Sequence, residues 1–279
     1  MNKKEYIKYV NDNFVGKTKE LLINQINKFY DYKDNFKLDK HNYKVGDEVF
    51  LKKGTFMHGT YKNIEGLDII TKEGFTAGTF RNNEFRQKYP YCVGFWNIQN
   101  DMKLSEYINL YSGCTIEFIG NGYRMEAAEE IRHTKLISVS DIENEIKNND
   151  YSKWYVEQTK EARFLPNLQK DYVQIGFILN MESKEAKSLL EGDIFRLDFD
   201  KEILKSFVVD KMYNHFINDI RDDFFTNRES AIVFGIPPVF IEGILVGRIY
   251  EKDNDKLDYI KSKLPNAYIC NLDGKVIRE

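Results

Sequence analysis

The hydrophobic and polar positions change period several times along the chain, and each change marks an element. Leu22, Ile26, Phe29 and Tyr30 recur at helical spacing between Lys, Asn and Gln. Residues 1 to about 45 therefore read as helical, with Gly16 separating a short first helix from a longer one. From Asp47 the texture turns to strands. Residues 49–56 are β-like, a short helix is expected over 62–72, and Cys92-Val93-Gly94-Phe95-Trp96 is the brief apolar run of a buried strand. Residues 103–110 return to a helical period, and 115–119 alternate into the turn Gly120-Asn121-Gly122. Charged helices fill most of 124–160. A strand is expected over 172–179, a helix over 183–190 with Ser183 near its start, and a longer helix over about 201–222. The last third is strand-rich: 230–234, an interruption at Ile236-Pro237-Pro238, 240–248, a helix over 256–263, and a hairpin centred on Asp273-Gly274.

This order predicts an α+β fold. The simplest division is an N-terminal helical extension, residues 1–46, and one catalytic domain, residues 47–279. At 279 residues with 42% hydrophobic positions, the chain is long enough to bury one large core. A net charge of −3 gives no overall pull toward nucleic acid or an anionic membrane. Cys92, Cys114 and Cys270 are odd in number and far apart, so neither a disulfide framework nor a metal site is expected. No run approaches the ~20 apolar residues of a membrane span, and the first residues are charged. The expected location is the cytoplasm; delivery into a target cell would leave no mark in this sequence.

Three short segments carry candidate chemistry. The first is His58-Gly59-Thr60, at the end of a predicted strand and followed by Asn63, Ile64, Ile70 and Gly74-Phe75. The second is Gly94-Phe95-Trp96. The third is Asn227-Arg228-Glu229-Ser230-Ala231-Ile232-Val233, where a carboxylate enters an apolar strand. In this order and spacing they resemble the three NAD-binding elements of the ADP-ribosyltransferase superfamily, in its toxin-like His-aromatic-Glu form. The resemblance spans about residues 49–248.

It implies a split antiparallel β-sheet core with peripheral helices, and NAD as substrate with no metal. It also implies a role for each matching residue. His58 would bond a ribose hydroxyl, Gly59 would pair its backbone with the nicotinamide amide, and Thr60 would brace the turn. Phe95 or Trp96 would stack on the nicotinamide, with Tyr91 a further candidate. Arg81, between the first two elements, is a candidate for the diphosphate, as are Arg86 and Arg163. Glu229 would stabilise the oxocarbenium-like cation that forms when the nicotinamide–ribose bond breaks. Glu242 and Glu126 are the alternative carboxylates. Arginine-modifying members carry Glu-x-Glu, but this chain has Asn227 at the first position, which counts against arginine as acceptor.

The expected activity is mono-ADP-ribosylation of a macromolecule, protein before nucleic acid, by a bacterial or phage toxin or effector. The N-terminal helices are then a place for an antitoxin or regulatory partner. The alternatives are an NAD glycohydrolase, with water as acceptor, and a non-catalytic binding protein on the same fold. There is no GxGxxG after a strand, no P-loop, no HExxH and no GxSxG.

Overall fold

A computed structural model describes residues 1–60, 64, 66–81, 89–110, 175–196, 201–209 and 229–279. Helix α1 (Lys3–Asn13) starts in a capping box: Asn2 Oδ1 accepts from the amides of Lys4 and Glu5, and Glu5 accepts from the amide of Asn2. Gly16, at φ +58°, opens α2 (Gly16–Asn35). On α2, Leu22, Ile26 and Phe29 are fully buried, as their spacing requires. The helix ends at Asn35 rather than near residue 45. Phe36 turns extended and stacks on Phe240 with ring centroids 5.1 Å apart, and no apolar repeat follows to hold another helical turn.

Strands β1 (Phe50–Leu51) and β2 (Phe56–Thr60) replace the single strand expected over 49–56, because Gly54 at φ +90° turns the chain between them. Helix α3 (Gly66–Glu73) is followed by β3 (Phe75–Thr76), β4 (Cys92–Asn97), β5 (Met102–Lys103) and α4 (Leu104–Leu110). After β6 (Ile175–Leu179), Ser183 caps α5 (Lys184–Leu189) by accepting from the Ala186 amide. Helix α6 (Lys201–Phe207) ends at Phe207, well short of the length read from sequence. Then come β7 (Glu229–Val233), β8 (Gly235–Ile236), β9 (Ile241–Val246), α7 (Arg248–Glu251), α8 (Asn254–Lys263), β10 (Tyr268–Cys270) and β11 (Val276–Arg278). The readings for 115–119, for the charged helices of 124–160, for Arg86, Glu126 and Arg163, and for the far half of the 201–222 helix lie outside the described residues.

The main sheet has seven strands in the order β11-β10-β9-β6-β2-β4-β7, antiparallel except for the β10–β9 pair. The fold is therefore α+β with a mostly antiparallel sheet. One face shares its core with the N-terminal helices, where Tyr6, Val10, Leu22, Ile26 and Phe29 meet Phe56, Phe95 and Phe177. The other face packs Met57, Ile178 and Leu245 against Leu104 and Tyr107 of α4. The main ladder breaks at Phe234 and Gly235, both at positive φ: β8 leaves the sheet to pair with β3, and β9 rejoins it after the prolines. Among the described residues no helix is long and apolar enough to cross a membrane.

Candidate functional site

Strand β2 pairs with β6 along its whole length, from Phe56↔Leu179 to Thr60↔Ile175. Its ladder with β4 is shorter, comprising only Phe56↔Asn97 and Met57↔Trp96. Beyond Met57 the β2–β4 boundary has no backbone ladder. There His58 Nδ1 lies 2.9 Å from the carbonyl oxygen of Gly94. A carbonyl only accepts, so Nδ1 carries a proton and donates it. Edge-on contact with Phe75 at 5.0 Å and a tilted contact with Phe95 at 5.2 Å hold the imidazole.

On its other side β4 pairs with β7 over five residues, including Trp96↔Glu229 and Gly94↔Ala231. Directly opposed side chains share a sheet face. Met57, Trp96 and Glu229 thus form one row, while His58 and Phe95 point to the opposite face. This separates the two aromatic candidates. Phe95 is 1% exposed and stacked on Phe56 at 5.5 Å, a core residue. Trp96 is half-buried beside Glu229 and packs against the cluster around Met57.

Gly94 sits between the two halves. Its carbonyl takes the His58 bond, and a Cβ on it would lie 3.2 Å from Glu229 Oε1. The carboxylate therefore occupies space that only glycine leaves open. Tyr89, buried and ahead of β4, lies near the same carboxylate. Burial first, then the charge of Glu229, push the Tyr89 pKa far above its ordinary value. Sequence reasoning missed Tyr89: it considered only Tyr91 in Tyr89-Pro90-Tyr91, and no periodicity distinguishes the two. Behind β7, Asp193 is 1% exposed and bridges to Ile232. Its Oδ1 accepts from the amides of Ala231 at 3.1 Å and Phe195 at 3.2 Å, and Oδ2 lies 3.3 Å from Arg196 Nε. Burial nevertheless dominates and raises its pKa.

The remaining candidates stand apart. Tyr91 packs on Phe14 at 4.9 Å and Phe80 at 5.4 Å, its hydroxyl 3.5 Å from that of Tyr9. Burial and that neighbour push its pKa to about 12. It joins the N-terminal helices to the sheet rather than facing Glu229. Arg81 closes the short 3₁₀ turn Gly78–Arg81. Gly59 and Thr60 are held by pairing with Gly176 and Ile175. Glu242, the alternative carboxylate, lies on β9, separated from β4 by β6 and β2. It is the extra residue of a bulge between Ile241 and Gly243, which turns it onto the segment after α2. There Glu242 Oε1 accepts from the His41 amide at 2.9 Å and lies 2.5 Å from His41 Nδ1. His41 thus anchors the extended segment between α2 and β1.

Among the described residues no group of three or more His, Cys, Asp or Glu side chains could hold a metal ion. What the arrangement offers is a carboxylate beside an indole, an imidazole across a sheet boundary without a ladder, and a half-buried glycine between them. Those are groups for binding and polarising an organic cation. Compared with known proteins, the chain matches no family model, no curated protein and no solved structure.

Proposed function

We propose that the chain is an NAD-dependent mono-ADP-ribosyltransferase, a toxin or effector that modifies a macromolecule. The observation that carries this reading is the convergence on Gly94. Three segments far apart in sequence meet there, with His58 on its carbonyl and Glu229 over its empty side-chain position. Trp96 flanks the carboxylate on the same face.

In this reading the dinucleotide crosses the boundary between β2 and β4 beyond Met57. The nicotinamide ribose lies on the Trp96 and Glu229 side, with the indole stacked on the pyridinium, and the adenosine ribose bonds His58 on the other. The C1′–N bond breaks heterolytically, and neutral nicotinamide leaves with the electron pair. Positive charge develops on the ribose ring, where the Glu229 carboxylate opposes it in a half-buried setting. An acceptor nucleophile then attacks C1′ and loses its proton to solvent.

The experiment is incubation with NAD labelled in its adenylate half, with and without cell lysate. The expected result is labelled macromolecule together with free nicotinamide, both lost in Glu229→Gln. Nicotinamide release without labelling would replace the transferase by a glycohydrolase. Absence of both, with no NAD binding by calorimetry, would overturn the reading.

A further inference from the structure

A second site lies on the opposite face of the sheet from Trp96 and Glu229, at the start of β2. A cavity of about 270 Å³ opens there between the turn before β2, the end of β4 and the α5 region. Phe56, fully buried, and Asn97, 6% exposed, line its inner part. Lys53, Lys187 and Arg196 line it as well, against a single carboxylate, Glu182.

All three cations are solvent-exposed at the rim of the cavity, and Arg196 is the one held by a buried partner. Among the described residues the side chains of Lys53 and Lys187 make no ion pair. The Lys53 backbone is fixed, its amide donating to Asp101 Oδ1 at 2.7 Å. Arg196 is oriented through Nε by the buried Asp193 at 3.3 Å, leaving the terminal guanidinium nitrogens for a second anion. Glu182 is drawn aside, with Oε2 3.9 Å from His41 Nε2. Three positive groups around an apolar floor match a compact dianion attached to a small organic body. The volume falls below the ~300 Å³ at which ordinary ligand pockets begin, so a dinucleotide is too large for it.

We propose that this cavity binds a phosphate monoester of a small molecule. The phosphate lies between Lys53, Lys187 and Arg196, and the organic part rests on Phe56. The site is independent of the NAD reading.

The test is calorimetric titration of the whole chain, at low ionic strength, with inorganic phosphate, with glycerol 3-phosphate and with glycerol. Saturable binding of both phosphates and none of glycerol is expected. Lys53→Gln and Lys187→Gln should each weaken it about tenfold with an unchanged thermal midpoint, while Lys44→Gln, on the exposed surface elsewhere, should not. Tighter binding of the monoester assigns the site to phosphorylated metabolites, and equal binding assigns it to free phosphate. Arg196→Lys serves as a further variant, because it keeps a charge beside Asp193 while losing the fork. The proposal is overturned if neither phosphate saturates below ~10 mM, a range far weaker than specific recognition, or if the two lysine variants bind as the native chain does.

Discussion

Replacing Gly94 by alanine tests the site at its centre. The new Cβ would stand 3.2 Å from Glu229 Oε1, where ordinary contacts begin at 3.4 Å, and among the described residues nothing else lies within 4 Å. Relief therefore comes from moving the carboxylate by a few tenths of an ångström. A 1 Å misplacement of a reacting group costs about 10²-fold, so this shift should lower kcat/KM for NAD cleavage roughly four- to tenfold. Stability should move the other way. The Gly94 backbone lies outside the left-handed region, and alanine removes unfolded-state freedom worth about 0.5–1 kcal/mol. That is a rise of about 1–3 °C in Tm for a chain of this size. Nicotinamide release measured beside a thermal melt gives both numbers. Unchanged kcat/KM would refute the assignment of Glu229. A Tm loss beyond about 5 °C would show instead that Gly94 serves packing.

Trp96→Ala should weaken NAD binding about five- to thirtyfold, the worth of one stacked cation–aromatic contact, while Phe95→Leu should lower Tm and spare affinity; equal losses of affinity by calorimetry would contradict the separation of the two faces. Asp193 has its folded pKa raised above the unfolded value, chiefly by burial. Its contribution to stability is thus fully present below the ordinary carboxylate pKa, about 4, and is lost as pH rises through the higher folded value. Asp193→Asn should flatten Tm against pH across that window, and an unchanged slope would show that another group sets it. Gly235→Ala would place a Cβ 1.7 Å from the Phe75 carbonyl oxygen at φ +136°. A cost above about 3 kcal/mol and a Tm fall of at least 6 °C are expected. Gly54→Ala, at φ +90° with nothing within 4 Å, is the control and should cost about 1 kcal/mol.

Local signals were the readable ones. The Cys92–Asn97 strand, the Ser183 cap, the Gly16 break and the Asp273-Gly274 turn each depend on neighbours within a few residues, where period and cap chemistry act directly. Pairings were not readable. Strand β2 lies between β6 and β4, and β10 runs parallel to β9 across α8; no short-range pattern encodes such partners. The bulge at Glu242 hides in the run 241–246, all of it buried, where hydrophobicity cannot reveal a register shift. Tyr89 comes near Glu229 through a turn, its carbonyl accepting from the Cys92 amide at 3.3 Å. The placement of His58 and Glu229 on adjacent-but-one strands was likewise a matter of tertiary pairing. Their residue types could be read, but not the face each side chain takes.

The most direct measurement is the rate of nicotinamide release from NAD by the native chain, by Glu229→Gln and by Glu242→Gln, each corrected for the folded fraction. The account predicts that Glu229→Gln lowers the rate by about 10²-fold or more while NAD still binds, and that Glu242→Gln turns over as the native chain does. Equal rates for native and Glu229→Gln, or a loss confined to Glu242→Gln, would contradict it.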